Sequence, residues 1–188
     1  MDVIATRIPD VKIIKPKVFG DDRGFFMETW NARAFADEGI NAVFVQDNHS
    51  RSVKNTLRGL HYQIQQPQGK LTRCTRGQVF DVAVDIRLDS PTFGEWVGEI
   101  LSEENQHQLW VPPGFAHGFL VMSETADFQY KCTDFYASEH ERAIHWADRE
   151  LAITWPFSDN SSPLVSEKDT QALPFEMADK YTGQGAGE

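Results

Sequence analysis

Two cysteines in 188 residues, Cys74 and Cys132, are too few for a disulfide framework and form no Cys-x-x-Cys pair. Read as cytosolic, the chain keeps both thiols reduced; a single bridge between them is the alternative. No apolar run approaches ~18 residues, so no stretch suits a membrane span. The N-terminal "MDVIATRIPDVKIIKPK" lacks a basic stretch leading into an apolar core, and no secretory signal is visible. Positive charge is also short. Eighteen Lys and Arg against 28 Asp and Glu give a net charge of −10, without the basic face that a general nucleic-acid binder needs. A small anionic ligand is still admitted, because local Arg and Lys clusters can hold a phosphate inside an acidic protein. Also absent are a Gly-x-Ser-x-Gly elbow, a P-loop, a Gly-x-Gly-x-x-Gly turn and a His-Glu-x-x-His pair.

What is present fits one globular domain over residues 1–188. The length allows a real core, and 40% hydrophobic with 12% aromatic residues argues against disorder. The dominant pattern is β. In "VFDVAVDIRL" (79–88), Phe80, Val82, Val84, Ile86 and Leu88 alternate with Val79, Asp81, Ala83, Asp85 and Arg87, a period of two with one fully apolar face. Further strands are expected in "LWVPPGFAHGFLVM" (109–122), entered through Pro-Pro-Gly, and in "ADFQYKCTDFY" (126–136). "KVFGDDRGFFMETW" reads as two strands about a Gly-Asp-Asp-Arg-Gly turn. Helix is scarce: about two turns in "NARAFADEG" (31–39), capped by Asn31 and stopped at Gly39, and a short piece in "SEKDTQAL" (166–173). "TGQGAGE" ends the chain as a frayed tail, taken to begin near residue 178. Many short strands between Gly and Pro turns suggest a sandwich or barrel such as a jelly roll.

The residues able to do chemistry are single polar side chains on these strands. "RGLHYQIQQPQGK" (58–70) holds Arg58, His61, Tyr62 and Lys70 among glutamines. A regular strand puts His61 and Gln63 on one face, Leu60 and Tyr62 on the other, and Arg58 away from His61 unless Gly59 marks a bulge. Taken alone, His61 is more often a satisfied strand histidine than a base. His117 in "PPGFAHGF" can equally be bonded to backbone. Tyr130, Cys132, Asp134 and Tyr136 fall on one strand face, where a tyrosine usually packs. Lys70 after its turn is ordinarily solvated. Asp169 in Ser-Glu-Lys-Asp and Glu141 in Ser-Glu-His-Glu each fit a helix-capping box. The turn around Arg23 and the loop "QDNHS" (46–50) can be simply polar surface.

Together the stretches "GDDRGFFMETW", "VQDNHSRS", "LRGLHYQ", "QGKLTRCTRGQVFDVAVDIR", "SPTFGEW", "WVPPGFAHGF", "YKCTDFY" and "SEKD" resemble, in order, those of the dTDP-4-dehydrorhamnose 3,5-epimerase family, from Arg23 to Asp169. The resemblance implies a cupin: a mainly β, antiparallel jelly-roll barrel or β-sandwich with a few short helices, working as a homodimer. It implies that His61 is the general base, Asp169 its supporting carboxylate, Tyr130 the proton donor on the opposite side of the sugar, and Lys70 the residue near the developing oxyanion. Arg23, Glu28, Gln46, Asp47, Asn48, Arg58, His117, Glu141 and Lys168 match ligand-contacting positions, and Tyr136 the tyrosine that stacks on thymine. The implied substrate is a dTDP-4-keto-6-deoxyhexose. Both inverted carbons flank the ketone, so enolate formation needs a base, a cation or donor near the oxygen, and a second proton carrier, but no redox cofactor. Metal-binding cupins carry His-x-His with a following Glu. Here the first motif reads His61-Tyr62-Gln63-Ile64-Gln65-Gln66, and with His117 leaves two histidines, too few for a metal site. No metal or other cofactor, no nucleic-acid or membrane partner and a cytoplasmic location are therefore expected. The alternatives are a one-carbon epimerase or ketoisomerase on the same fold, and a cupin that only binds a nucleotide sugar.

Overall fold

The computed structural model describes residues 1–157 and 162–182. In chain order the strands are β1 (Asp2–Ala5), β2 (Lys12–Lys15), β3 (Val18–Asp21), β4 (Gly24–Met27), β5 (Gln46–Val53), β6 (Leu57–Gln63), β7 (Lys70–Arg76), β8 (Gln78–Asp85), β9 (Trp96–Ser102), β10 (Gln108–Val111), β11 (Phe115–Val121), β12 (Thr125–Cys132) and β13 (Glu141–Ala143). The helices are α1 (Ala32–Asp37) and α2 (Glu167–Thr170). Six strands in the order β1-β2-β10-β7-β12-β5 form one antiparallel sheet, and five in the order β13-β6-β11-β8-β9 form the other. This is the expected cupin-type jelly-roll sandwich. Hairpin β3–β4 stands apart as a two-stranded sheet of its own.

The sequence pattern explains the layering. Between the sheets, Cys74, Leu109 and Phe128 from the first pack against Val79, Ala83, Val97 and Phe119 from the second. The alternate residues of β8, Val82 and Val84, face outward, where Ile144, Trp155, Phe175 and Ala178 cover them. Both faces of β8 are therefore buried, Asp81 and Asp85 included. Over the outside of the six-stranded sheet lies α1, whose Phe35, with Ile40 just past the helix end, packs against Ile14, Leu71 and Trp110. Its start follows from Asn31, whose side chain accepts from the Arg33 and Ala34 N–H groups, and Gly39 at φ +79° ends it.

Three expectations change. The apolar run 109–122 is two strands in different sheets, since β10 lies in the first and β11 in the second. Proline cannot continue a ladder, and Pro112-Pro113-Gly114 turns the corner, with Gly114 at φ +91°. Strand β12 stops at Cys132, so Asp134 and Tyr136 do not share its face. There the Thr133 N–H still donates to the Gly69 carbonyl at 3.0 Å and the Gly69 N–H to Thr133 Oγ1 at 2.7 Å, but the Phe135 N–H turns to Asp134 Oδ1 at 2.7 Å, a local bond in place of the ladder. Finally, the stretch 178–182 is packed rather than loose. Ala178 is buried, the Tyr181 N–H donates to the Ile86 carbonyl at 3.0 Å, and the Leu88 N–H to the Tyr181 carbonyl at 2.8 Å. The rest of the expected tail, 183–188, lies outside the described residues. Cys74 and Cys132 are both buried and unbridged. On the paired strands β7 and β12, Cys74 faces Phe128, whereas Cys132 faces Lys70.

Candidate active site

A cavity of about 370 Å³ opens between the sheets, lined by Asn48, His49, Ser50, Arg58, His61, Tyr62, Gln63, Gln68, Lys70, His117, Phe119, Tyr130, Tyr136 and Glu141. Its two walls come from different sheets. Strands β6 and β11 supply His61 and His117 from one side; β7 and β12 supply Lys70 and Tyr130 from the other.

His61 reaches into this cavity because β6 alternates, with Leu60 and Tyr62 turned to the outer core. Its Nε2 lies 2.5 Å from Asp169 Oδ1. Asp169 is 2% exposed. Burial alone would raise its pKa, but the hydrogen bond and charge of His61, with the Ser166 hydroxyl and Gly59 N–H, hold it below the ordinary value of 3.8. A buried carboxylate bonded to one ring nitrogen orients the imidazole of His61. The capping role belongs instead to Ser166, whose Oγ accepts from the Asp169 N–H at 3.1 Å. Helix α2 therefore presents a carboxylate to His61 from 108 residues away in the chain.

Arg58 joins the same cavity through a bulge. Along β6 and β11, His117 pairs with His61 and Phe119 with Arg58, so Gly59 and Leu60 face Gly118 alone. A Cβ on Gly59, at φ +120°, would stand 2.6 Å from the Gly118 Cα. The guanidinium of Arg58 spends its bonds on the neutral Ser52 Oγ, at 3.2 and 3.1 Å. Lys70 is 7% exposed, and burial lowers its pKa despite the opposing charges of Cys132, Asp81 and Glu141. Burial pushes the Tyr130 phenol up to about 12, so it stays protonated near neutral pH.

His117 has its own carboxylate, which sequence reasoning missed. Its Nε2 lies 2.6 Å from Asp81 Oδ1, and Thr72 Oγ1 donates to Asp81 Oδ2 at 2.6 Å. The only local signal was an acid interrupting the apolar run of β8. Among the described residues, no group of three or more His, Cys, Asp or Glu is arranged to hold a metal ion.

The rim is less uniform than expected. Tyr136 donates its hydroxyl to Glu141 Oε2 at 2.5 Å, and Lys168 ion-pairs with the same oxygen. Burial would raise the Glu141 pKa, but these two partners bring it down overall. Gln46 accepts the Tyr136 N–H at 3.0 Å and donates to Asn48 at 3.1 Å. Asp47, between them, faces the opposite side of β5 and pairs with Lys131 at 3.0 Å. Arg23 lies in the separate hairpin, paired with Asp21 at 2.5 Å, and Glu28 accepts from Asn31 Nδ2 at 3.2 Å. Arg23, Glu28 and Asp47 do not line the cavity of this chain, and Gln46 and Lys168 reach its rim only through their bonds to Tyr136 and Glu141.

A jelly-roll cavity with a histidine–aspartate pair on one wall and a protonated phenol and a buried lysine on the other belongs to a cupin whose cavity is lined with proton-carrying groups. The profile of the dTDP-4-dehydrorhamnose 3,5-epimerase family matches residues 5–177, and the chain belongs to that family. A dTDP-4-dehydrorhamnose 3,5-epimerase from Pseudomonas aeruginosa is 63% identical over 180 residues, 94% of this chain and 98% of the relative. The structure of a dTDP-6-deoxy-D-glucose-3,5-epimerase from Legionella pneumophila, in complex with dTDP-4-keto-L-rhamnose, is 55% identical with a TM-score of 0.91, covering 95% of this chain and 94% of that one. A 3'-monoepimerase from Streptomyces bikiniensis, in complex with dTDP-quinovose, is 30% identical with a TM-score of 0.84, covering 92% and 87%.

Proposed function

We propose that the chain inverts C3 and C5 of dTDP-4-dehydro-6-deoxy-D-glucose, giving dTDP-4-dehydro-L-rhamnose on the path to dTDP-L-rhamnose. The observation that carries this reading is the placement of His61–Asp169 and Tyr130 on opposite walls of one cavity. His61 takes the proton from the carbon beside the ketone, and the C–H electron pair moves onto the carbonyl oxygen as an enolate. Lys70 faces that oxygen as the cation. Tyr130 returns a proton to the other face of the carbon, regenerating the ketone with inverted configuration, and solvent restores both residues. The same cycle serves the second carbon. Each step only relocates a proton, so the reaction takes no cofactor; full activity after chelation, with bound metal quantified, is the check.

In this reading Tyr136 stacks on the thymine, with Gln46, Asn48 and Glu141 around it, and Arg58 and Lys168 lie against the diphosphate. The active unit is a homodimer. Phe19, Phe25 and Phe26 of the hairpin are 54%, 61% and 71% exposed, an apolar surface beside Arg23 that a second copy would cover. The deciding experiment incubates the 4-keto sugar with enzyme in deuterium oxide and follows ring couplings and label by NMR. Deuterium at both C3 and C5 with L-configured product is expected. Label at one carbon would make this a monoepimerase, and no label a binding protein.

A further inference from the structure

The glutamines of "HYQIQQPQGK" are unused by the chemistry above, yet one of them is among the most completely bonded side chains near the cavity. Gln63 sits on the same face of β6 as His61, two residues further, and is 3% exposed. Its Oε1 accepts the Ala137 N–H at 2.9 Å. Its Nε2 donates to the Gln66 carbonyl at 2.8 Å and to the Phe135 carbonyl at 3.2 Å. One planar amide thus bridges the turn after β6 and both sides of Tyr136. Two further glutamine amides hold the same arm: Gln68 Nε2 donates to the Asp134 carbonyl at 2.9 Å, and Gln46 Oε1 accepts the Tyr136 N–H at 3.0 Å. Beyond Thr133, whose N–H still donates to the Gly69 carbonyl at 3.0 Å, the arm 134–137 has left the sheet, and side-chain amides take the place of a neighbouring strand.

We propose that Gln63 is a positioning residue for nucleotide recognition: it locks the 134–137 backbone so that the Tyr136 ring is preset over the cavity that His61 serves. This rests on the reading that Tyr136 carries the nucleoside. A preset ring is not ordered at the moment of binding, so Gln63 acts on affinity and leaves the proton transfers alone. Removing Gln63 lets the arm sample other positions, and binding then bears the ordering that folding now supplies.

The test combines Gln63→Met, of similar volume but without amide groups, with Tyr136→Ala and the double variant. The readouts are dTDP affinity by calorimetry, and KM and kcat with the 4-keto sugar. Tyr136→Ala alone should weaken dTDP binding; if it does not, the nucleoside reading fails and the proposal with it. Given that loss, Gln63→Met should raise Kd and KM about tenfold, the scale of one or two lost hydrogen bonds, with kcat within about twofold. Adding Gln63→Met to Tyr136→Ala should then weaken dTDP binding little further. The proposal is overturned if Gln63→Met leaves Kd unchanged, lowers kcat instead, or adds its full factor in the Tyr136→Ala background. Should Gln63→Met fail to fold, Gln68→Ala, which releases only the Asp134 carbonyl at the half-exposed edge, must show the same non-additivity with Tyr136→Ala at smaller amplitude.

Discussion

Burying an ammonium group opposes its charge, and Lys70 shows the consequence: its pKa is held below the ordinary 10.5. The cation exists below the folded pKa and is lost as pH rises through it, sooner than for an exposed lysine. In stability the same shift favours the neutral form, so burial of Lys70 opposes folding increasingly as pH falls from the ordinary 10.5 to the folded value, and by a constant amount below it. In catalysis it predicts an alkaline limb in kcat below 10.5. Tyr130 does not produce that limb, because burial pushes its phenol up to about 12. Lys70→Arg, charged throughout, should move the limb upward even if the maximal rate drops. A limb that stays in place would take Lys70 away from the oxyanion. Residue-scale legibility was uneven for a related reason. Gln46-Asp47-Asn48 could not all face one cavity, since strand neighbours alternate, and Asp47 does turn away to Lys131.

At the scale of elements, much of the pattern was readable: the period-two alternation of β8, the Asn31 cap of α1 and the turn between β3 and β4 all follow from local residues. What local pattern does not carry is register and meeting between distant elements. Asp81 meets His117 across 36 residues, and Asp169 meets His61 across 108. In the residues alone, Asp169 looked like a helix cap, and only resemblance made it the partner of His61. Helix α2 now separates those roles by substitution. Ser166→Ala removes the cap from the Asp169 N–H and should cost about 0.5–2 kcal/mol, with turnover near normal if α2 stays docked. Asp169→Asn leaves that cap in place and gives His61 a neutral partner, so turnover should fall by about two to four orders of magnitude with a small change in Tm. Thermal melts and steady-state rates on both variants check the division; the opposite assignment would return Asp169 to a structural role.

For the whole molecule, the hairpin β3–β4 stands apart from both sheets that wall the cavity. Among the described residues the hairpin strands pair only with one another and present Phe25 and Phe26 to solvent, while Arg23, which the family resemblance matches to a ligand-contacting position, is absent from the cavity of its own chain. Both facts have one explanation if the hairpin of each copy reaches the cavity of the other across a two-fold interface. The arrangement can be tested by mixing two damaged enzymes. His61→Asn lacks the base, and Arg23→Ala lacks the hairpin cation. In a mixed dimer with hairpins acting across the interface, one cavity combines both defects and the other has neither. Unfolding and refolding an equimolar mixture should then restore about a quarter of the native sites, since random pairing makes half the dimers mixed and each has one intact cavity. Hairpins acting within their own chain leave every cavity with one defect, and the mixture would show only the average of its parents. Measured at substrate concentrations where Arg23→Ala alone is slow, a clear gain over that average assigns the hairpin to the second copy.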